Sequence, residues 1–203
     1  MIGIIDYGLG NLGSIQNMLK VIGAKSVISS DITILEKCDK YILPGVGAFD
    51  AGMSQLTEKG LVDFVKKAAT IDKKPILGIC LGMQLLGRRS EEGKLEGLGL
   101  IPFETVRFQL ENTNLKIPHM GWDIVDFKKN NPSVKNLEGK QRYYFVHSFH
   151  AKCDFEENIL MTCDYGYKFA AAVCKNNVIG VQFHPEKSHD FGMALLKNFV
   201  EEF

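Results

Sequence analysis

The sequence predicts an α/β fold with a central, largely parallel mixed sheet flanked by helices and an antiparallel portion in the second half. Over the first 90 residues, short apolar segments alternate with amphipathic ones, as in βαβ units that carry helices on both faces of a parallel sheet. Between Leu100 and Phe183 the segments are mostly strand-like with turn clusters between them, which indicates antiparallel pairing. Since no linker, repeat or low-complexity tract interrupts the 203 residues, we expect one domain over residues 1–203.

The elements of the first half follow from apolar periodicity. Short apolar runs indicate strands, and apolar residues spaced three to four apart indicate helices. Asn11 is available as an N-cap for the first helix, and Gly23 marks its end. In chain order the pattern predicts a strand over Ile2–Asp6, a helix carrying Leu12, Ile15, Leu19 and Ile22, strands over Ser26–Ser29 and Lys40–Leu43, a helix carrying Leu61, Phe64, Val65 and Ala68, and a strand over Pro75–Cys80.

The second half contains strand-like segments and one closing helix. The strands are predicted around Thr105–Phe108, Trp122–Phe127, Arg142–Ser148, Phe169–Cys174 and Val178–Phe183. The final helix carries Phe191, Ala194, Leu195 and Phe199 on one face.

The composition narrows the function classes. Lys and Arg total 24 against 24 Asp and Glu, so the chain has no net charge at pH 7 and we expect no nucleic-acid partner. The longest apolar run, Phe169 to Cys174, is far shorter than a membrane helix of roughly 20 residues, and the start lacks a secretory pattern. The 5 cysteines include no C-x-x-C pair. We therefore expect a cytoplasmic protein without membrane association, metal or cofactor.

The strongest chemical signal is the segment Gly78-Ile79-Cys80-Leu81-Gly82, which lies where an apolar strand turns into a helix. It has the form of a nucleophile elbow, in which glycines allow a tight turn that exposes the central side chain at the edge of the sheet. The adjoining helix N-terminus favours the thiolate, which is the attacking form of cysteine. The alternative is that Cys80 is a small buried apolar residue, and the pattern alone leaves both interpretations open.

His184-Pro185-Glu186 supplies the groups that a cysteine nucleophile needs. The imidazole moves a proton, and a neighbouring carboxylate fixes its tautomer. In extended backbone, residues i and i+2 project to the same side, so Glu186 is expected beside the His184 ring. A surface turn is the plain alternative. Four further histidines compete for the role, namely His119, His147, His150 and His189.

The loop Pro44-Gly45-Val46-Gly47 follows a predicted parallel strand and therefore lies at the same sheet edge as Cys80. Its backbone N–H groups at Val46 and Gly47, together with that of Leu81, are candidate donors to an oxyanion, which needs about two. A plain Gly/Pro turn remains open. A phosphate-binding loop is disfavoured, because neither a Walker-type nor a dinucleotide-type glycine motif follows any strand.

Seven sequence strings together resemble the glutaminase subunits of imidazole glycerol phosphate synthase, which are class I, triad-type glutamine amidotransferases. The match spans nearly the whole chain, and the strings Pro-His-Met-Gly-Trp (118–122) and His-Pro-Glu-Lys-Ser (184–188) are specific to this kind of subunit. The strings are residues 6–11 (DYGLGN), 44–49 (PGVGAF), 78–84 (GICLGMQ), 90–93 (SEEG), 118–122 (PHMGW), 145–148 (FVHS) and 182–188 (QFHPEKS).

The resemblance implies a class I glutamine amidotransferase-like fold and the hydrolysis of L-glutamine to L-glutamate and ammonia through a thioester on Cys80. His184 would be the general base and then the acid, with Glu186 orienting it. The implied substrate-binding residues are Gly45, Gly47, Gln84, Glu92, His147 and Ser148.

The resemblance also implies a heterodimer in which ammonia passes to a (β/α)8 cyclase partner that makes imidazole glycerol phosphate. Independently of the resemblance, Trp122 is either an interface anchor or an inward-packed strand residue, and Lys187 is either a contact or a solvated charge. The implied interface residues are Asn11, Pro118, His119, Met120, Gly121, Trp122 and Lys187.

Some positions depart from the family pattern, namely Arg88-Arg89, Phe103 and Phe149. They leave open a paralogous glutaminase subunit that supplies ammonia to a sugar amidotransferase in surface-glycan biosynthesis. A non-catalytic regulatory subunit with the same fold is an alternative of another class, although the complete set Cys80, His184 and Glu186 speaks against it. A cysteine peptidase is disfavoured, because Gln84 and the 90–93 string suit a small polar pocket.

Overall fold

The computed structural model describes residues 1–111, 114–137 and 139–203. Over these residues it forms one mixed sheet with helices on both faces, which confirms the predicted fold class. The strands are β1 (Ile2–Ile5), β2 (Ser26–Ser29), β3 (Lys40–Leu43), β4 (Ile76–Ile79), β5 (Arg89–Ser90), β6 (Phe103–Arg107), β7 (His119–Phe127), β8 (Gln141–His147), β9 (Phe149–Cys153), β10 (Ile159–Asp164), β11 (Lys168–Lys175) and β12 (Val178–Val181). The helices are α1 (Leu12–Val21), α2 (Ile32–Leu35), α3 (Phe49–Glu58), α4 (Leu61–Thr70), α5 (Leu81–Leu85) and α6 (His189–Glu201).

The sheet has a parallel half and an antiparallel half. The strand order is β2-β1-β3-β4-β12-β11-β10-β7-β8, and the strands from β2 to β12 in this order run parallel. From β12 to β8 the neighbours are antiparallel, while β9 branches from β11 and continues through β6 to β5. No helix of the described residues is long and apolar enough to cross a membrane.

The pairing of β12 with β4 positions the candidate site. In this parallel pair Val181 is in register with Ile79, so the residues that follow both strands emerge at the same edge of the sheet. Cys80 follows β4 directly, and His184 comes three residues after β12. Parallel pairing thus brings together residues that are far apart in the chain.

Apolar cores cover both faces of the sheet because successive strand residues point to opposite sides. In β1, Ile4 belongs to the core packed against α1 and α6, and Ile5 belongs to the core packed against α3 and α4. Both residues are fully buried, which fits a parallel sheet covered by helices.

Five of these helices and strands were not predicted from the sequence, namely α2, α3, β5, β9 and β10. Helix α3 has an apolar face of Phe49, Met53 and Leu56, but Gly52 interrupts it and lowers the helix propensity. The structure explains this glycine, since a Cβ there would lie 3.1 Å from the methyl groups of Leu85. The close packing of α3 on α5 is therefore a tertiary requirement that local periodicity does not show.

Candidate active site

Cys80 lies in a strained turn between β4 and α5. Its backbone angles are φ 53° and ψ −110°, in a region that side-chain-bearing residues rarely occupy. The Cys80 N–H donates to the Val181 carbonyl at 2.8 Å, so β12 holds the turn in place. The side chain is buried except for a small face, as the residue is 8% exposed. This is the geometry of a nucleophile elbow.

The two glycines flanking Cys80 are required by close backbone contacts. A Cβ on Gly82 would lie 1.8 Å from the Leu43 carbonyl oxygen, and one on Gly78 would lie 2.7 Å from the Gly82 carbonyl oxygen. Neither position has room for a side chain, so the elbow depends on both glycines.

His184 and Glu186 form a buried pair at the end of β12. The Nδ1 atom of His184 lies 2.7 Å from Oε1 of Glu186, and the two side chains are 1% and 2% exposed. Asn11 donates from Nδ2 to the same carboxylate oxygen at 3.3 Å. The Ser188 hydroxyl donates to the His184 carbonyl at 2.6 Å and fixes the backbone of the turn. The imidazole is thus oriented from its Nδ1 side.

The other ring nitrogen of His184, Nε2, is the one available to Cys80, because Nδ1 is bonded to Glu186. Nε2 is buried and has no hydrogen-bond partner within normal distance among the described residues. Burial acts to lower the pKa of His184, but hydrogen-bond and charge interactions with Cys80 and Glu186 outweigh it and raise the pKa to about 9. For Glu186, burial acts to raise the pKa, and the contact with His184 reverses this and lowers it. The arrangement favours a protonated His184 beside an ionised Glu186.

A cavity of about 400 Å³ opens onto these groups. Its size suits a free amino acid. It is lined by Val46, Gly47, Cys80, Leu81, Gln84, Glu92, Pro118, Val146, His147, Ser148, Phe149 and His184. The structure therefore brings together the residues that the sequence nominated for the oxyanion and, except for Gly45, for substrate binding.

Gly45 and Glu186 lie behind the cavity wall. A Cβ on Gly45 would lie 2.3 Å from the Tyr7 hydroxyl and 2.8 Å from the Gly82 backbone nitrogen, so Gly45 allows the loop to pack on the elbow. Glu186 reaches the cavity only through the His184 ring.

Gln84 and Glu92 are both held by hydrogen bonds. Gln84 donates from Nε2 to the Phe149 carbonyl at 3.3 Å and to Oε1 of Gln182 at 3.2 Å. Glu92 accepts a hydrogen bond at 2.8 Å from the backbone N–H of Phe49, the first residue of α3. A carboxylate is favourable there, because the first N–H groups of a helix have no partner within it.

His147 and His119 are bonded to each other. Nε2 of His147 lies 3.0 Å from Nδ1 of His119, and Nδ1 of His147 donates to the Phe149 carbonyl at 2.8 Å. His119 is 1% exposed and points inward. Unlike its neighbours Pro118 and Met120, this expected interface residue is not exposed.

The remaining interface candidates lie at or near the surface. Met120 is 60% exposed, and Pro118 and Lys187 are exposed. Trp122 is half-buried; its ring stacks on His189 with centroids 5.4 Å apart and carries the Arg142 guanidinium 5.7 Å above it. Asn11, also half-buried, contacts Glu186 as described.

The departures from the family pattern have local structural roles. Arg88 pairs with Asp154 and Glu104, and Arg89 pairs with Glu104 at 3.0 Å. The Phe103 ring is fully buried against Gly87, where a Cβ would lie 2.6 Å from it. Phe149 lies under Arg107 at 5.6 Å.

Within the described residues, one group of potential metal ligands is close-set: His119, Asp123 and Cys163, whose donor atoms lie within 4.8 Å of one another. His119 Nε2 is already hydrogen-bonded to Asp123 at 2.9 Å. Burial raises the pKa of the Cys163 thiol to about 12. The group is satisfied by its own contacts, and we assign no metal to it.

Tyr7 and Gln182 are site residues to which the sequence analysis gave no role. The Tyr7 hydroxyl is buried without a hydrogen-bond partner among the described residues, and burial together with the charge of Cys80 raises its pKa above the usual range. The Nε2 atom of Gln182 lies 3.9 Å from the Cys80 sulfur. Its spacing of two residues from His184 is the signal that places both on the same side of the chain.

Comparisons with known proteins agree with this geometry. The glutamine amidotransferase class-I family profile matches residues 3–203. The chain is 53% identical over 202 residues to "Imidazole glycerol phosphate synthase subunit HisH 2" of Methanococcus maripaludis, covering 100% of both chains. It is 51% identical to the subunit of the same name from Pseudomonas aeruginosa, with 99% of each chain covered.

Solved structures show the same fold. A crystal structure of a glutamine amidotransferase superposes with a TM-score of 0.78 at 20% identity, covering 98% of this chain and 97% of that one. The structure of PurLQS from Thermotoga maritima superposes with a TM-score of 0.73, covering 98% and 96%. The resemblance seen in the sequence strings is confirmed: the chain belongs to the class-I glutamine amidotransferase family, alongside the HisH subunits of imidazole glycerol phosphate synthase.

Proposed function

We propose that this chain is a glutaminase subunit that hydrolyses L-glutamine to L-glutamate and ammonia at Cys80. The observation that carries the proposal is the buried His184–Glu186 pair, 2.7 Å apart, beside a cysteine in a strained elbow within one cavity. We infer that residues 1–203 act as one catalytic domain in a reducing cytoplasm, in agreement with the 5 free cysteines.

The reaction begins when the Cys80 thiolate attacks the side-chain amide carbon of glutamine. His184, whose raised pKa of about 9 means that it holds a proton at neutral pH, has taken that proton from the thiol. The C–N bond then breaks, and His184 gives the proton to the departing ammonia. Water, deprotonated by His184, attacks the thioester, so that glutamate leaves and the thiol is restored.

The oxyanion that forms at each step needs hydrogen-bond donors. Leu81 begins α5, and the first N–H groups of a helix are free of helix carbonyls. Val46 and Gly47 line the cavity on the opposite loop and are the source of a second backbone N–H. Each such donor is worth on the order of 3 kcal/mol in the barrier.

The amino-acid end of glutamine occupies the rest of the cavity. Gln84, Glu92, His147 and Ser148 line it and offer an amide, a carboxylate, a neutral imidazole and a hydroxyl. The Glu92 carboxylate is suited to the substrate ammonium group. These contacts favour a free amino acid over a peptide.

We infer that ammonia passes to a (β/α)8 cyclase in a heterodimer that makes imidazole glycerol phosphate in histidine biosynthesis. The support is the name of relatives at 53% and 51% identity, together with an exposed segment that carries Met120 and Trp122 beside the cavity residue Pro118. An exposed methionine and a rigid stacked tryptophan are typical of interface anchors.

The test begins with purification of the chain from its native host and mass identification of the bound partner. Glutamate release by that complex is measured for the unaltered chain, Cys80→Ala and Cys38→Ala, a buried free cysteine away from the cavity. We expect Cys80→Ala to abolish glutamate release and Cys38→Ala to retain it. Release that persists in Cys80→Ala would refute the proposed chemistry and favour a regulatory subunit.

Identification of the partner also tests the acceptor. A (β/α)8 cyclase supports the histidine-pathway assignment, and a sugar amidotransferase overturns it in favour of the surface-glycan role. Growth without histidine of a strain that lacks its own subunit, after this gene is supplied, gives an independent result. Failure to grow in the presence of a cyclase-competent complex would count against the assignment.

A further inference from the structure

An unbroken series of hydrogen bonds connects the surface of β7 to the cavity. Its first part passes through two histidines. The Asp123 carboxylate lies 2.9 Å from Nε2 of His119, and the side chain of Asp123 is 40% exposed. Nδ1 of His119 lies 3.0 Å from Nε2 of His147. Nδ1 of His147 lies 2.8 Å from the Phe149 carbonyl. The two histidines face each other directly, because they are register partners on β7 and β8.

The second part of the series continues to the nucleophile. The Phe149 carbonyl also accepts from Nε2 of Gln84 at 3.3 Å, and the same amide donates to Gln182 at 3.2 Å. Gln182 in turn lies 3.9 Å from the Cys80 sulfur. The Phe149 carbonyl is therefore the point where the histidine pair and the elbow meet.

The carbonyl at one end of the histidine part determines which ring nitrogens carry protons. A carbonyl oxygen only accepts, so His147 must carry its proton on Nδ1. With His147 neutral, its Nε2 is an acceptor and Nδ1–H of His119 must donate to it. Nε2 of His119 and Oδ2 of Asp123 lie 2.9 Å apart, so one proton lies between these two atoms. The series therefore needs one proton more than two neutral imidazoles hold.

That additional proton resides between His119 and Asp123. Burial acts to lower the pKa of His147 far below its usual value, and charges on His119, His150 and His184 act in the same direction. Burial also lowers the pKa of His119, and its contact with Asp123 offsets this effect only in part. The other titratable groups beside His119 are Tyr165, which stacks 3.9 Å from the His119 ring, and the Cys163 thiol, whose pKa burial raises.

We propose that His119 is a positioning residue for the glutamine pocket. It holds His147 in the Nδ1–H tautomer and thereby fixes the Phe149 carbonyl, while the contact with Asp123 orients the His119 ring. The inference rests on the proposed function, since the fixed carbonyl belongs to the wall of the cavity in which glutamine would bind.

The tautomer is tested directly by long-range ¹H–¹⁵N spectra of the full-length chain with labelled imidazoles. We expect His147 to show a protonated Nδ1 and a bare Nε2, and His119 to show a protonated Nδ1. A neutral His147 protonated on Nε2 alone would overturn the proposal. The measurement needs no turnover, so it remains decisive even if glutaminase activity is absent and the proposed function fails.

Kinetics of the complex with its native partner test the consequence. His119→Phe keeps an aromatic ring between Phe145 and Tyr165, which stack on it at 4.7 and 3.9 Å, but removes both hydrogen bonds. We expect the KM for glutamine to rise about tenfold, because a buried hydrogen bond costs about that factor, with kcat changed less than about threefold. An unchanged KM would contradict the proposal.

Variants of the surface carboxylate complete the test and do not disturb the core. Asp123→Ala should raise KM about threefold, whereas Asp123→Asn should rescue it, because an amide N–H can donate to a neutral His119. Asp126→Ala on the same strand, whose side chain is 66% exposed, is the matched control and should leave KM unchanged. Equal effects of Asp123→Ala and Asp126→Ala, or no rescue by Asp123→Asn, would overturn the assigned role of Asp123.

Discussion

Two buried histidines line one cavity, and their pKa values are shifted in opposite directions. His184 is 1% exposed and His147 is 6% exposed, so burial is nearly the same for both. The pKa of His184 is raised to about 9, whereas burial lowers the pKa of His147 far below its usual value. The difference lies in the polar partners, because His184 interacts with the Glu186 carboxylate and Cys80, while the hydrogen bonds of His147 go to a carbonyl and a second imidazole.

This contrast shows that the bonded partner, and not burial alone, decides the charge of a buried imidazole. A charged His184 can stabilise the thiolate and give a proton to ammonia. A neutral His147 can order a carbonyl and present an uncharged wall to the substrate. One cavity thereby combines a proton donor with a fixed binding surface.

The largest expected effect comes from removing the carboxylate that distinguishes the two histidines. Glu186→Gln should lower kcat/KM about 10³- to 10⁴-fold, as the amide no longer favours the imidazolium or its tautomer. Glutamate release by the complex is the measurement. Glu104→Gln, a surface carboxylate bonded to Arg88 and Arg89, is the control and should lose less than about twofold. A loss below tenfold in Glu186→Gln would mean that another group orients His184.

A side chain at Gly82 should destabilise the elbow that carries Cys80. Gly82→Ala puts a Cβ 1.8 Å from the Leu43 carbonyl oxygen, so we expect destabilisation of about 3 kcal/mol or more, or failure to fold. Gly13→Ala in α1, where nothing lies within 4 Å of the new Cβ, should stabilise by about 0.5–1 kcal/mol. Urea unfolding compares the two, and similar stabilities would contradict the packing argument.

The two histidines should affect the pH dependence of the free energy of unfolding in opposite directions. His184 contributes stability that is complete below its unfolded pKa of 6.5 and is lost as pH rises through about 9. His147 has a lowered pKa, so stability is lost as pH falls below 6.5, where the unfolded chain takes up a proton that the folded chain does not. For His184, the shift from 6.5 to about 9 corresponds to about 3 kcal/mol of stability over this range.

Urea unfolding of His184→Gln and His147→Gln across pH 5 to 10 separates the two slopes. The first variant should lack the alkaline loss, and the second should show a smaller acid loss, since His119 and His150 also have lowered pKa values. An alkaline loss that persists in His184→Gln would show that a different group titrates there.

The smallest effect is expected for an exposed ion pair. Arg88 pairs with Asp154 and Glu104, and these three side chains are 42%, 34% and 31% exposed. Arg88→Ala should therefore change the free energy of unfolding by less than about 1 kcal/mol, because exposed pairs are screened by water and salt. A loss above about 2 kcal/mol in urea unfolding would mean that this pair supports the fold as a buried one does.

Most elements of the fold were predictable from local pattern. Strands β2 and β3 begin and end where apolar runs predict, and α1 ends near Gly23, whose φ of +83° suits the turn. Helix α3 was missed, since Gly52 hides its amphipathic face, and β9 was missed because it follows β8 after one residue. Both depend on contacts with distant segments.

Within the site, the sequence nominated the groups but not all of their contacts. The glycines around Cys80 and the His184–Glu186 spacing have local reasons, and the structure places these residues as expected. The inward direction of His119 and the approach of Gln182 to the Cys80 sulfur arise from strand pairing. No single segment contains the information for either contact.

By itself, the sequence determined which chemistry the chain carries: a thiol between glycines, an imidazole two residues from a carboxylate, and a fold of alternating strands and helices. Only the tertiary structure decided which histidine is charged and which is neutral. The reason is physical: spacing along the chain fixes the direction of a side chain, whereas proton affinity depends on the charges and dipoles that folding brings to each ring nitrogen.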